Sequence, residues 1–306
     1  MLKINSIKLD FGPRNRLVPH LKDDDKIASD VFGSHGVAMT IFESAFLCGT
    51  LNKFKPTKIL EIGVGAGGTT AIIFQCLQDI GMPYELHSID LTLKAWYGAG
   101  NKDTGYVAKY VKENNIITSL NKDGSALCGV HFEHYGTILP FVIEEIGYDI
   151  DFVILDTMHT LPGEILDFLA VLPYLKSNAI VVLHDIFWNQ VNYDFVSAHA
   201  TGTLFSAVKG DKFLNLILDE ADLIYRYPNI GAFQITEQTM ENIADVFLTL
   251  ALRWDYFPPR EQLRAYYKIF SKHYSSDICA IFENFIKANY LNLRIRDEIG
   301  KHAKNI

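Results

Sequence analysis

The feature that most constrains the fold is a short apolar strand that passes through closely spaced glycines into a helix, ILEIGVGAGGTT over residues 59–70. Gly63, Gly65, Gly67 and Gly68 permit positive φ and let a ligand approach the main chain. Free N–H groups and the helix dipole at such a turn favour a negatively charged group. We therefore predict a nucleotide-like cofactor at this glycine turn, residues 63–68.

A carboxylate on the next predicted strand completes the expected cofactor site. Asp90 lies 22 residues after Gly68. An acid at this position of a βαβ unit accepts hydrogen bonds from both hydroxyls of a ribose. Gly63, Gly65 and Gly68 satisfy GxGxxG spacing, so the residues alone leave NAD(P) and FAD open as cofactors.

Apolar runs of strand length alternate with segments of helical period, which predicts a doubly wound α/β fold. We expect a mostly parallel, seven-stranded, Rossmann-like sheet. An antiparallel edge is predicted from residues 223–227 and 231–235, which flank a Pro-Asn turn. Five strands, all interpreted as central, are predicted over residues 58–62, 85–90, 130–134, 151–156 and 179–184. Helices are predicted over residues 36–51, 69–79, 103–114, 137–146 and 162–175.

The predicted organisation is an N-terminal segment (1–35), a cofactor-binding domain (36–236) and a helical appendage (237–306).

Four titratable residues follow the fourth and fifth of these strands: Asp156, His159, His184 and Asp185. We name these four residues the strand-end cluster. The carboxyl ends of parallel strands form the edge where open α/β sheets bind ligands. His159 is the candidate general base, since an imidazole accepts a proton near neutral pH. Asp156 and Asp185 are candidates for orienting a substrate or holding a metal. Helix capping by Asp156 and a local His184–Asp185 hydrogen bond remain open as purely structural roles.

Glu61, two residues before the first glycine, favours one of these cofactors over the others. An acid followed by GxGxG resembles motif I of the class I S-adenosylmethionine-dependent methyltransferases. The resemblance covers about residues 36–236. It implies S-adenosylmethionine as cofactor, with Glu61 orienting the glycine loop around its methionine part.

The strand-end cluster resembles a subgroup that includes macrolide-sugar O-methyltransferases and cephalosporin-hydroxylase-like proteins. These have an acid-x-x-His sequence after the fourth strand, as in Asp156 to His159, and often His-Asp after the fifth. Several relatives bind a divalent metal there, which implies Asp156, His184 and Asp185 as ligands. Metal-binding relatives tend to carry paired acids on the fifth strand. The His184-Asp185 pair of this chain therefore disfavours magnesium, which prefers oxygen ligands.

The predicted function is O-methylation of a hydroxyl on a small molecule or sugar-like acceptor. Two alternatives stay open: an NAD(P)-dependent oxidoreductase, and a binding protein that keeps the cofactor fold without turnover. The chain has 28 basic and 36 acidic residues, a net charge of −8, which disfavours nucleic-acid binding.

Localisation and assembly are predicted from the remaining features. The longest uncharged stretch, residues 62–78, contains four glycines and is no membrane span. Lys3, Lys8 and Asp10 interrupt any signal-peptide pattern. Four widely spaced cysteines without a CxxC pair are expected to be reduced and buried. We therefore expect a cytoplasmic protein whose appendage packs on the sheet domain or on a second subunit, as in a homodimer.

Overall fold

A computed structural model describes residues 4–13, 39–97, 102–108, 111–112, 129–187, 199–215 and 229–303 of the 306-residue chain. Within these residues the strands are β1 (Ile4–Asn5), β2 (Lys58–Ile62), β3 (Tyr84–Asp90), β4 (Lys94–Tyr97), β5 (Lys102–Tyr106), β6 (Gly129–Tyr135), β7 (Ile150–Leu155), β8 (Leu175–His184), β9 (Asp211–Phe213) and β10 (Ile230–Gln234).

Eight of these strands form one sheet in the order β1-β9-β10-β8-β7-β2-β3-β6. β10 runs antiparallel to both of its neighbours, and the other pairs are parallel. The predicted seven-stranded, mostly parallel sheet with an antiparallel edge region is confirmed, and the two-residue β1 extends it. β10 covers residues 231–234 of the strand predicted over residues 231–235. Its expected partner over residues 223–227 lies outside the described residues.

The sheet is buried on both faces because its middle strands are continuous apolar runs. Val153 and Val181 contribute to one hydrophobic core, whereas their neighbours Phe152 and Ile180 contribute to the other. β6 differs from the prediction, since it ends the sheet among the described strands instead of lying centrally. Its alternation of polar and apolar residues, with Val130 56% exposed, is typical of an edge strand and not of a buried one.

The helices are α1 (Ile41–Phe54), α2 (Gly68–Ile80), α3 (Leu139–Ile146), α4 (Gly163–Val171), α5 (Ala200–Ala207), α6 (Glu237–Glu241), α7 (Ile243–Thr249), α8 (Arg260–His273) and α9 (Ser276–Ala303), with a 3₁₀ turn at Leu172–Tyr174. α1 begins with a capping box between Thr40 and Glu43. α1 and α2 pack on the Phe152 face of the sheet, and α3 and α4 on the Val153 face.

The helix predicted over residues 103–114 is wrong for residues 103–108. β5 pairs with β4 in an antiparallel ribbon apart from the main sheet. Thr104 and Gly105 are poor helix formers, so pairing with β4 prevails. Val111 and Lys112 are helical, and residues 109–110 and 113–114 lie outside the described residues.

The C-terminal helices share a core with the sheet. Tyr266 of α8 donates a 2.6 Å hydrogen bond to Asp167 of α4, and the Tyr274 hydroxyl donates to the Leu169 carbonyl at 2.6 Å. α7, α8 and α9 contribute Phe247, Phe270 and Phe282 to the Val153 core. The helical appendage therefore packs on the sheet domain, while the boundary at residue 236 stays a prediction. Cys48, Cys76 and Cys279 are free and buried as expected, and Cys128 lies outside the described residues.

Candidate active site

The glycine turn follows β2 and leads into α2, as predicted. Gly63, Gly65 and Gly67 all have positive φ, of 92°, 54° and 89°. A side chain at Gly63 would lie 1.8 Å from the carbonyl oxygen of Asp156, whereas one at Gly65 would meet no atom of the described residues within 4 Å. Gly63 is thus required by packing against the end of β7, and Gly65 borders open space that a ligand can enter.

Asp90 lies against the glycine turn, but its carboxylate already accepts hydrogen bonds from groups of the protein. Oδ2 accepts hydrogen bonds from the N–H groups of Val64 (3.1 Å) and Gly65 (3.0 Å). Oδ1 accepts from the N–H (2.8 Å) and hydroxyl (3.0 Å) of Thr92. A carboxylate accepts about four hydrogen bonds. A ribose bound here would share or displace some of these partners.

Glu61 is fully buried and connects three elements of the turn. Its carboxylate accepts hydrogen bonds from the Thr70 hydroxyl on α2 (2.9 Å) and from the Ser88 hydroxyl on β3 (2.7 Å). Burial raises the pKa of Glu61 to about 7, against the effect of these two hydroxyls. Glu61 therefore orients the glycine turn by tying β2 to α2 and β3.

The strand-end cluster is one group of contacting side chains. His159 Nε2 lies 2.8 Å from Asp185 Oδ2 and 3.7 Å from Asp156 Oδ1. His184 Nδ1 lies 3.1 Å from Asp156 Oδ1 and 3.6 Å from Asp185 Oδ2. The structure thus brings together all four residues that the sequence predicted at this edge, next to Gly63.

Two members of the cluster adopt the left-handed backbone conformation. His159 and Asp185 both have φ of 59°. Such residues cost about 1 to 3 kcal/mol each and gather at functional sites, where the surrounding structure holds them in place. Here the hydroxyl of Thr201 donates to the Asp185 carbonyl at 2.8 Å, and Glu164 Oε1 accepts from the His159 N–H at 2.6 Å.

The carboxylates around the two imidazoles raise the pKa of both of them. Burial alone lowers the pKa of His159, but Asp185, Glu164 and Asp156 outweigh it and raise this pKa to about 9. The pKa of His184 is raised well above its ordinary value, because Asp185, Asp156 and Glu43 overcome the opposing effect of burial. The pKa of Asp185 is lowered: burial opposes this, but His184 and His159 prevail. A protonated His159 accepts no proton, so its predicted role as base requires that the imidazole first lose its proton, which a cation that offsets part of this negative charge would favour.

Residues 60–186 match the family model described as a methyltransferase domain. The match begins in β2, includes the glycine turn and Asp90, and ends directly after Asp185. Over these residues the chain is similar to a methyltransferase domain. The recognition made from Glu61 and the glycine spacing is thereby confirmed.

Several solved structures resemble this chain. The O-methyltransferase TomG from Streptomyces achromogenes is 14% identical, over 75% of this chain and 92% of its own, with a TM-score of 0.45. An O-methyltransferase from Bacillus cereus is 12% identical over 72% and 90%, with a TM-score of 0.43. The Podospora anserina methyltransferase PaMTH1 is 15% identical over 76% and 89%, with a TM-score of 0.40. Because these scores are below 0.5, the assignment rests on the family match. No curated protein sequence matches the chain significantly.

Three residues around the cluster of the methyltransferase domain were missed by sequence reasoning. Glu164, fully buried, accepts from the His159 N–H and from the Thr157 hydroxyl (2.7 Å). The Asn229 side chain donates to Asp185 Oδ1, and its N–H donates to Glu43 Oε1 at 3.2 Å. The capping box marks Glu43 as a helix-start residue, but no local pattern indicates its contact with His184.

The donor atoms of Asp156, His184 and Asp185 fit a divalent cation. One atom from each lies within 4.8 Å of the others, and they form the one such group of three among the described residues. Adjacent ligands of a metal with bonds of about 2.1 Å lie about 3 Å apart, close to the 3.1 Å and 3.6 Å from His184 Nδ1 to the two carboxylates. Two oxygens and one imidazole nitrogen suit manganese, iron or zinc better than magnesium.

Each helix that the structure describes lacks the length or the apolar character that crossing a membrane requires.

Proposed function

We propose that this protein methylates a hydroxyl oxygen of a small-molecule or sugar-like acceptor, with S-adenosylmethionine as methyl donor. The observation that carries the proposal is the methyltransferase family match, which joins the glycine turn and the strand-end cluster in one unit. TomG was solved with S-adenosylmethionine and the Bacillus cereus enzyme with S-adenosylhomocysteine, which agrees with the cofactor predicted from Glu61.

The cofactor part of the proposal assigns Gly63, Gly65, Gly67, Gly68 and Asp90 to S-adenosylmethionine. When bound, this cofactor supplies an electrophilic methyl group on a sulfonium sulfur. Gly65 borders the open space beside the turn, and the start of α2 offers N–H groups to the cofactor's carboxylate. Asp90 keeps its contacts with Val64 and Gly65 in part while accepting from the ribose.

The acceptor part of the proposal assigns the chemistry to the strand-end cluster. Methyl transfer needs the acceptor oxygen aligned with the methyl group and relieved of its proton. Asp156 and Asp185 orient the hydroxyl directly, or hold a divalent cation together with His184. Such a cation would lower the pKa of a coordinated hydroxyl and neutralise carboxylate charge around His159. Once its own proton has left, His159 would take the proton of the acceptor through Nε2.

Cofactor binding and methyl transfer test the proposal. S-adenosylmethionine and S-adenosylhomocysteine should raise the melting temperature, because a ligand of the folded state stabilises it, whereas NADH should not. A shift with NADH alone would support the oxidoreductase alternative. Cofactor binding without transfer to any of a panel of hydroxylated acceptors would support the binding-protein alternative. Activity that persists in excess chelator would exclude a cation from the mechanism and support the metal-free alternative. The cytoplasmic location and the homodimer stay predictions.

A further inference from the structure

Glu43 is a buried carboxylate that reaches the strand-end cluster from α1, outside the matched methyltransferase segment. It is 4% exposed. Its Oε2 lies 3.4 Å from His184 Nε2, on the side of the ring opposite the two aspartates that face Nδ1. The imidazole of His184 is therefore bracketed by carboxylates, with Glu43 at one nitrogen and Asp156 and Asp185 at the other.

Independent contacts hold the Glu43 carboxylate in place. The Thr40 N–H donates to Oε2 at 2.6 Å, and the Asn229 N–H donates to Oε1 at 3.2 Å. His184 Nε2 is buried and makes no hydrogen bond of normal geometry with the described residues. A buried N–H without a partner is costly, so a carboxylate at 3.4 Å is its natural acceptor after a small shift of the ring.

A histidine that ligates a metal commonly donates its second ring N–H to a carboxylate, which fixes the ring orientation. We propose that Glu43 is a positioning residue of the cation site: it holds His184 through Nε2 so that Nδ1 faces the space between Asp156 and Asp185. This inference rests on cation binding in the proposed function. Asn229 extends the effect, since its side chain binds Asp185 while its N–H binds Glu43. Through these contacts, Glu43 of α1 positions His184 directly and Asp185 by way of Asn229.

The competing explanation is that Glu43 serves only the capping box of α1. The two roles separate cleanly by mutation. Glu43→Gln keeps the length of the side chain, and Gln also functions in a capping box, but the negative charge facing His184 is lost. Thr40→Ala is the matched control, because it removes the side chain that accepts from the Glu43 N–H (3.2 Å) and leaves the carboxylate in place.

The experiment is Mn²⁺ titration of the metal-stripped full-length protein, followed by calorimetry or by the electron paramagnetic resonance of free Mn²⁺. Glu43→Gln should weaken Mn²⁺ binding about 10- to 100-fold, as expected for loss of a carboxylate behind a ligating histidine. Thr40→Ala should lower the melting temperature and leave Mn²⁺ affinity unchanged. Should Glu43→Gln fail to fold, Glu43→Asp replaces it, because the shorter side chain keeps the charge but withdraws it from His184.

Unchanged Mn²⁺ affinity in Glu43→Gln would overturn the inference and leave Glu43 as a capping residue. Equal losses in Glu43→Gln and Thr40→Ala would overturn it too, because the effect would then come from the helix start. A wild-type protein that binds no Mn²⁺ also ends it. The thermal shift with S-adenosylmethionine, measured on the same samples, decides the cofactor half of the proposed function separately.

Discussion

The glycine turn and the strand-end cluster lie side by side at one edge of the sheet, yet the carboxylates of the turn and the side chains around the cluster differ in how fully they are hydrogen-bonded. At the turn, Asp90 accepts four hydrogen bonds and Glu61 is held by two hydroxyls. Around the cluster, buried atoms of His159, His184 and Glu164 lack hydrogen-bonding partners among the described residues.

This contrast indicates which of the two regions has polar atoms available to bind a ligand. A network whose polar groups are all hydrogen-bonded within the protein serves as a scaffold. Buried polar atoms without a partner are rare in native folds, and a missing ligand is one explanation for them. Two left-handed residues, His159 and Asp185, point the same way, since their strain is tolerated at the cluster. We therefore expect mutations at the turn to affect folding and cofactor binding, and mutations at the cluster to affect turnover.

The largest effect is expected at His159. His159→Asn keeps a residue that tolerates the left-handed backbone and removes the imidazole, so methyl transfer should slow about 10²- to 10⁴-fold with cofactor affinity unchanged. His199→Asn is the control, because this histidine also faces a carboxylate, Asp255 at 3.8 Å, but lies outside the cluster. Initial rates and calorimetry measure the two quantities. A fully active His159→Asn variant would exclude the base and leave alignment of the acceptor as the mechanism.

Next in size is the contrast between two glycines of the turn. Gly63→Ala forces a side chain into the Asp156 carbonyl and should lower the free energy of unfolding by about 3 kcal/mol or more. Gly65→Ala meets open space and should cost only the left-handed strain, about 1 to 2 kcal/mol. Urea denaturation of both variants tests this. Equal losses would show that Gly63 does not pack on β7 as described.

Asp90→Ala should weaken S-adenosylmethionine binding by about 1.5 to 3 kcal/mol, as expected for hydrogen bonds to a charged group. Part of this loss comes from the ribose and part from the freed N–H groups of Val64 and Gly65. Glu133→Ala is the control, an exposed acid on the neighbouring strand β6 that pairs with Lys112 at 2.9 Å. Calorimetric affinity equal to wild type would remove Asp90 from the cofactor site.

The smallest effect concerns a property that the two regions share. Burial raises the pKa of Asp167, one helical turn from Glu164, to about 7, as it does for Glu61 at the turn. Because the folded state holds the proton of Asp167 more tightly than the unfolded state, stability is greatest below pH 4 with respect to this group and falls as the pH rises towards 7.

Asp167→Asn removes this proton while keeping an acceptor for the Tyr266 hydroxyl. The difference in unfolding free energy, variant minus wild type, should rise by about 1 to 3 kcal/mol between pH 5 and pH 8. Urea titrations at both pH values provide the measurement, and Glu61 should leave wild type and variant with a residual slope of the same sign. Parallel pH profiles would show that Asp167 is not buried as an acid.

Local sequence determined the scaffold of the site. An apolar strand of five residues followed by four glycines specifies the β2–turn–α2 unit, because few conformations satisfy both its periodicity and its positive φ values. The apolar runs of β7 and β8 likewise specify adjacent buried strands, so Asp156 and His184 had to meet at one edge. For this reason the strand-end cluster was predictable although its members lie far apart in the chain.

Tertiary structure alone decided how the cluster is surrounded and charged. Glu43 and Asn229 meet across 186 positions, and no periodicity encodes a contact of that separation. The raised pKa of His159 depends first on Asp185, which follows the next strand, and then on Glu164 and Asp156 nearby in the chain. The residue type alone therefore suggested a neutral base, whereas the fold favours the protonated imidazole. The β4–β5 ribbon and the place of β10 between β8 and β9 were settled by strand pairing, whose energy depends on a partner and not on local propensity.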